Sequence, residues 1–333
     1  MSVAARPRAL SFAYRLAHGL VGALVGALAL TAPTACVDGQ GSPEPLPILG
    51  GARPAFDGEA AHLLVREQVE FGPRIPGTEG HAAQLSWMLA RLAATADELT
   101  ADTFEVEHTQ TGERLTLTNV LARFRPDAER RLLFLAHWDT RPRSDAGATV
   151  EERAIPVPGA NDGGSGTAIL LQVAEHLAAE APPVGIDLLL VDGEDYGPTT
   201  DDMFLGAKRY AATSDRSTWP VYAVLLDMVG DTDPRFPIEG YSAQMARDVA
   251  QRVWRVAASL GYGAAFPPEV GRRVSDDHVP LNEAGLPTVD IIDLEYGPGN
   301  AYWHTPEDLP DRTSAATLGM VGELVLELIY MGG

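Results

Sequence analysis

The sequence predicts an α/β fold: a single three-layer α/β/α domain around a mostly parallel, mixed central sheet. Continuous apolar runs such as RLLFLAH (131–137) and GIDLLLVD (185–192) have the length and character of strands buried on both faces. Segments with helical spacing of apolar residues, such as SGTAILLQVAEHLAAE (165–180), alternate with those runs. The alternation continues to the C-terminus, as in a parallel sheet covered on both sides.

The first segment is different in kind. MSVAARPRALSFAYR carries Arg6, Arg8 and Arg15 and no acid, and the apolar LAHGLVGALVGALALTA follows. These are the two leading regions of an export signal. TAPTAC then sets small residues before Cys36, the single cysteine of the chain. The expectation is a signal peptide of lipoprotein type over 1–35, although Pro33 stands where Leu, Val or Ile is usual. Lipid attachment at Cys36 would give a periplasmic or cell-surface protein on a bacterial membrane. One cysteine excludes an intrachain disulfide. Residues 36–54, Gly/Pro-rich and without periodicity, read as a flexible linker.

Residues 55–333 contain no repeat and no second linker, so they read as one domain. DGEAAHLLVREQVEF (57–71) and GHAAQLSWMLARLAATA (80–96) predict helices separated by the turn-rich GPRIPGTEG. TFEVEHT (103–109) and RLTLTNVLARF (114–124) alternate as half-buried strands, a hairpin at a sheet edge. The two buried strands and the helix already quoted come next, and FLGAKRYAAT (204–213) is a further helix. VYAVLLDMVG (221–230) is a third buried strand, and SAQMARDVAQRVWRVAASLG (242–261) one long helix. LPTVDIID (286–293) is the fourth strand, and TSAATLGMVGELVLELIY (313–330) the closing helix.

A net charge of −21 and a pI near 4.7 exclude nucleic acid as a partner and leave no basic face for an anionic membrane. In sheets of this class ligands sit at the carboxyl ends of the strands. The predicted strand exits carry His137 and Asp139, then Asp192, Glu194 and Asp195, then Asp227. Loops bring Asp162, in PGANDGGSG, and His304, in YWHTPED. Singly, each has an ordinary explanation: Asp162 as a helix cap, Asp227 as a turn residue, His304 as a half-buried histidine. Together, several carboxylates and two imidazoles at one sheet edge repel unless a divalent cation joins them. Asp192 reads as structural, and histidines 18, 62, 81, 108 and 176 receive no role. GGSG (163–166) lacks the lysine of a phosphate loop and reads as a close approach to a helix start.

The ordered set HWD…GANDGGSG…DGEDYG…LLDMVG…SDDH…YWHT resembles the zinc aminopeptidase-like fold. With FGPRIPGTEGH (71–81), HWDTRP, FLGAKRYA, DDHVPLNEAGLPTVDIID and YWHTPEDL, it is similar to the glutaminyl-peptide cyclotransferases over residues 60–331. The resemblance implies Asp162, Asp195 and His304 as ligands of one zinc, and Glu194 as the general acid/base. It implies Asp227 and Asp276 in a carboxylate network, with Trp303 walling the substrate pocket. In aminopeptidase relatives His137 and Asp227 join Asp162 in holding a second zinc. Asp195 departs from the glutamate of many relatives. Asp139 and His278 are assigned to the pocket, with His278 fixing its own loop as the competing reading. Arg141 and Arg143 lie near the pocket or pair with surface acids.

The implied reaction cyclises the N-terminal glutamine of peptides or proteins to pyroglutamate and releases ammonia. A metallo-aminopeptidase is the alternative, and a non-catalytic peptide-binding lipoprotein a third reading.

Overall fold

The computed structural model describes residues 53–333, so the export signal, Cys36 and nearly all of the linker lie outside the described residues. Two helices come first, α1 (Gly58–Glu70) and α2 (Glu79–Ala93). Asp57 caps α1 by accepting from the Ala60 amide, and Thr78 caps α2 by accepting from the amide of His81. The hairpin β1 (Glu98–Glu107) and β2 (Arg114–Phe124) follows, antiparallel along its whole length. Strand β1 starts five residues before the expected TFEVEHT, because Glu98–Asp102 continue the ladder opposite Asn119–Arg123.

The buried strands β3 (Arg131–His137), β4 (Gly185–Val191), β5 (Ala223–Asp227) and β6 (Thr288–Ile292) stand where the apolar runs place them. Between them run α3 (Val150–Arg153), α4 (Gly164–Ala179), α5 (Leu205–Thr213), α6 (Gly240–Met245), α7 (Arg247–Ser259) and α8 (His278–Ala284). The closing helix is α9 (Ala315–Tyr330). The sheet order is β1-β2-β4-β3-β5-β6. β3 pairs in parallel with both β4 and β5, β5 with β6, and β2 joins β4 antiparallel.

Alternation along β3 shows why both sheet faces are apolar. Leu132, Phe134 and Ala136 pack into the core shared with α1, α2, α4, α7 and α9, while Leu133 and Leu135 meet Tyr210 of α5 and Leu281 of α8 on the other face. The result is the expected α/β/α sandwich.

Two local expectations fail. The helix expected over 242–261 is divided, with Ala246 at φ −131° and ψ 41° between α6 and α7. α6 is tied to the sheet: Glu239 accepts from the amides of Tyr241 and Ser242, and Ser242 Oγ accepts from the Asp290 amide. α7 instead buries Val249, Val253 and Trp254, and the bend lets each segment meet its own surface. α8 was not expected at all. It is seven residues long with Pro280 in its first turn, where no amide hydrogen is required, and it ends at Gly285 with φ 101°.

The start of α4 lies against the end of β5. A Cβ on Gly166 would stand 2.2 Å from the Leu226 carbonyl oxygen. Gly166→Ala is therefore expected to cost about 1–3 kcal/mol of folding stability, read as a lower urea midpoint. An unchanged midpoint would show that α4 has room to retreat from the sheet.

Candidate active site

The carboxyl ends of β3, β4 and β5 and the loops before α4 and α9 bring their side chains into one buried cluster. β3 delivers His137 as its last residue, and β5 ends on Asp227. His137 Nε2 lies 3.1 Å from Asp227 Oδ1 and 3.2 Å from Asp162 Oδ1. Its Nδ1 has no hydrogen-bond partner and stands 3.8 Å from Glu194 Oε2. Burial disfavours charge on His137, but Asp139, Asp162 and Asp227 outweigh it and hold its pKa well above the usual imidazole value.

Asp162 does not cap α4. The residue at the cap is Gly163, with φ 80° and no side-chain bond. A Cβ there would fall 2.4 Å from the Asp139 carbonyl oxygen, so this turn requires glycine. The backbone leading to Asp162 is clamped from both sides. Arg74, wholly buried, donates to the carbonyls of Pro158 and Gly159. Asp308 accepts from the amides of Asn161 (2.8 Å) and Asp162 (3.2 Å) and from Tyr296 Oη. Burial beside Asp162 pushes the Asp308 carboxyl up to about 7.

The turn after β4 carries the three acids of DGED. Asp192 faces inward, accepting from the Thr118 amide at 2.7 Å and lying 3.0 Å from His81 Nε2; it builds the turn. His81, stacked on Trp138, thus has a structural part that its sequence context did not suggest. The next two acids face the site. Their amides donate to the two oxygens of Asp139, Glu194 to Oδ1 and Asp195 to Oδ2, both at 3.1 Å. Asp139 has no exposed surface, so it supports the turn from below and is not a wall of an open pocket.

His304 closes the group at φ 52°, a left-handed conformation uncommon outside glycine. Its ring stacks on the half-buried Trp303, with centroids 3.9 Å apart. Burial lowers its pKa to about 4, which leaves a neutral imidazole with a free lone pair at neutral pH.

Among the described residues three groups of donors each have their donor atoms within 4.8 Å of one another: His137/Asp162/Asp227 and Asp162/Asp195/His304, which share Asp162, and Asp276/His278/Asp290. His304 Nε2 stands 3.5 Å from both Asp162 Oδ2 and Asp195 Oδ1, facing them without bonding. Two ligands each about 2.1 Å from a tetrahedral zinc stand about 3.4 Å apart. Asp195 Oδ2 is buried with no partner. This donor set fits a divalent cation bound through oxygen and nitrogen.

Beside it, the Glu194 carboxylate is buried and receives no hydrogen bond among the described residues. Burial, with Asp195, Asp276 and Asp277 nearby, drives its pKa well above the usual carboxylate range against the pull of His137. Asp276 is fully enclosed as well, and its pKa is raised by burial and by Asp227 and Asp277.

His278 does not reach the pocket. It has no exposed surface, and its Nε2 lies 2.9 Å from Glu239, which ties the start of α8 to the segment before α6. The residues missed from sequence are its neighbours. Asp277 lies buried without a side-chain partner, with its pKa pushed up to about 8 by burial, and Asp290 is a carboxylate inside β6. An acid within the apolar run TVDII was the available signal. Arg141, one of two arginines left between pocket and surface, pairs with Asp195 and Asp145.

A model of Peptidase family M28 matches residues 119–329, and the chain belongs to that family. Within it the chain stands with the glutaminyl cyclases. A glutaminyl cyclase of Bacteroides thetaiotaomicron bound to N-acetylhistamine is 36% identical with a TM-score of 0.79, over 84% of this chain and 99% of that one. A Zn-dependent exopeptidase of Parabacteroides distasonis is 33% identical with a TM-score of 0.80, over the same shares. The glutaminyl-peptide cyclotransferase-like protein of Mus musculus is 28% identical over 66% of this chain, and the match spans 62% of its own length.

Glu239 yields a pH-dependent expectation. Burial opposes its charge, but His278 and the Tyr241 and Ser242 amides win, holding its pKa at about 2 against an ordinary 4.5. The stability it contributes is complete above pH 4.5 and is lost as pH falls through about 2. The stability gap between the wild type and Glu239→Gln, from denaturant titrations, should therefore narrow steadily below pH 4.5. A gap independent of pH would contradict this account.

Proposed function

We propose that this chain is a zinc-dependent glutaminyl cyclase that converts the N-terminal glutamine of peptides or proteins to pyroglutamate with release of ammonia. The observation that carries the reading is the buried Glu194 carboxylate, which receives no hydrogen bond among the described residues, beside the Asp162/Asp195/His304 donors. When bound there, one zinc supplies Lewis acidity toward the side-chain amide oxygen of the substrate. The reaction is intramolecular, so the protein's main task is to hold the folded conformer of the glutamine. Trp303, stacked on His304 and still accessible, offers an apolar wall for the aliphatic part of that side chain.

Glu194 then moves one proton. Its carboxylate takes it from the α-amine as the new C–N bond forms. It returns it to the amide nitrogen as the old C–N bond breaks, so ammonia leaves and the glutamate is regenerated. Asp139 fixes the backbone that aims Glu194, through its bonds to the two successive amides. Asp227 and Asp276 belong to the carboxylate network around it.

The second donor group, His137/Asp162/Asp227, favours a second reading, a two-metal aminopeptidase in which Glu194 is the base toward water. One assay separates them: a Gln-initiated and a Leu-initiated peptide, each with and without chelator. Cyclisation predicts ammonia and pyroglutamyl product from the first peptide, abolished by chelator. Free leucine from the second, with no cyclised product from the first, would overturn it.

Glu194→Gln retains the ligands and should lower kcat about 10²–10⁴-fold. Full turnover by that variant would remove Glu194 from the mechanism and revive a different base. Export and lipid attachment at Cys36 complete the proposal. Cys36→Ser should move the protein from the membrane fraction to the soluble fraction; an unchanged distribution would exclude a lipid anchor.

A further inference from the structure

Asp195 is the ligand position with the shorter arm, and one side chain grips it. Arg141 Nη1 donates to Asp195 Oδ1 at 2.5 Å and to the Asp195 carbonyl oxygen at 3.2 Å. The other edge of the same guanidinium holds Asp145 Oδ2, from Nε at 2.7 Å and Nη2 at 2.6 Å. The planar fork is thus fixed at both ends, and its residue is only 5% exposed. Burial works against the charge, but Asp195 and Asp145 outweigh it.

The chain makes room for this fork. A Cβ at Gly197 would stand 3.0 Å from Nη2, 3.1 Å from Nη1 and 3.3 Å from Cζ, so the guanidinium lies flat against the bare α-carbon. Gly197 has φ 57° as well, a second reason for glycine. The consequence for Asp195 is geometric. Oδ1, the oxygen that Arg141 holds, is also the one that stands 3.5 Å from His304 Nε2, and Oδ2 is buried without a partner.

We propose that Arg141 is a positioning residue that sets the carboxylate of Asp195 as a metal ligand and compensates for its short side chain. The inference rests on the reading of Asp162, Asp195 and His304 as the cation site. Asp195 alone can rotate about χ1 and χ2, whereas the guanidinium holds its plane, so less orientation entropy is lost when the cation binds. Arg141 also places one positive charge between Asp195 and Asp145.

The test measures zinc affinity by competition with a chromophoric chelator, with apo-protein Tm measured alongside. Arg141→Met removes fork and charge, and is expected to weaken zinc binding about 10–100-fold. Arg141→Lys keeps the charge without the fork and is expected to fall between it and the wild type. In an Arg141→Met background, Asp195→Glu lengthens the ligand arm and should restore most of the lost affinity, which a purely structural role for Arg141 would not allow. Arg141→Met with unchanged affinity and a lower apo Tm would overturn the inference and leave Arg141 as a loop tie. If Arg141→Met does not fold, Arg141→Lys carries the test, with unchanged affinity as the overturning result. Wild-type protein that binds no zinc would instead sink the cation-site reading itself, so the two failures are distinguishable.

Discussion

Like charge held out of water is the constraint on which this structure turns. Asp139, Asp162, Glu194, Asp195, Asp227, Asp276 and Asp277 are all buried near the carboxyl edge of one sheet, and Asp290 sits behind them. Buried carboxylates of this number are unfavourable unless amides, cations or protons satisfy them. The local architecture divides them by means of satisfaction. Asp139 and Asp308 take backbone amides, Asp192 takes an amide and His81, and Asp195 takes Arg141. Asp162 and Asp227 share His137. Glu194 is left without a hydrogen-bond donor among the described residues, which is the observation the proposed proton transfer rests on.

The same division explains why so much of the surrounding chain is rigid and unusual. Ligands must converge without collapsing onto one another, so the segments that bear them are pinned by their own backbone. Arg74 and Asp308 hold the turn before α4 from opposite sides, and Asp139 holds the turn after β4. Gly163 and Gly166 let α4 approach β3 and β5 closely enough for Asp162 to lie between His137 and His304. Precision at the site comes from these main-chain bonds, because side chains on strand ends alone would retain rotamer freedom.

Most of this was legible where chemistry and periodicity coincide. The apolar runs located β3 to β6, because a strand buried on both faces is mostly apolar along its length. The site was legible because strand-end carboxylates recur in order: Asp162, Glu194, Asp195 and Asp227 are brought together with His137 and His304. What failed was what depends on three-dimensional neighbours. The break at Ala246 follows from Glu239 and β6 pulling α6 away from α7, and no local residue type marks it. His278 and Asp139 carry the residue types of a pocket wall, and only burial shows that they face inward. Asp290 was passed over because one acid does not disturb an apolar run, yet it places a carboxylate behind Asp276.

These arrangements tie the stability of the fold to occupancy of the site. Removing one partner from a buried charged cluster is costly, whereas a cluster completed by a cation has its repulsion cancelled. Asp195 and Asp227 have raised pKa values, chiefly through burial, so each holds its charge at a cost. A cation that binds the folded chain and not the unfolded one offsets that cost and stabilises the fold by mass action. Acid and chelator therefore act on one equilibrium from two directions, and both act first on the carboxyl edge of the sheet. The apolar core shared by α1, α4, α7 and α9 carries no such charge and keeps the scaffold in place while the site changes its occupant.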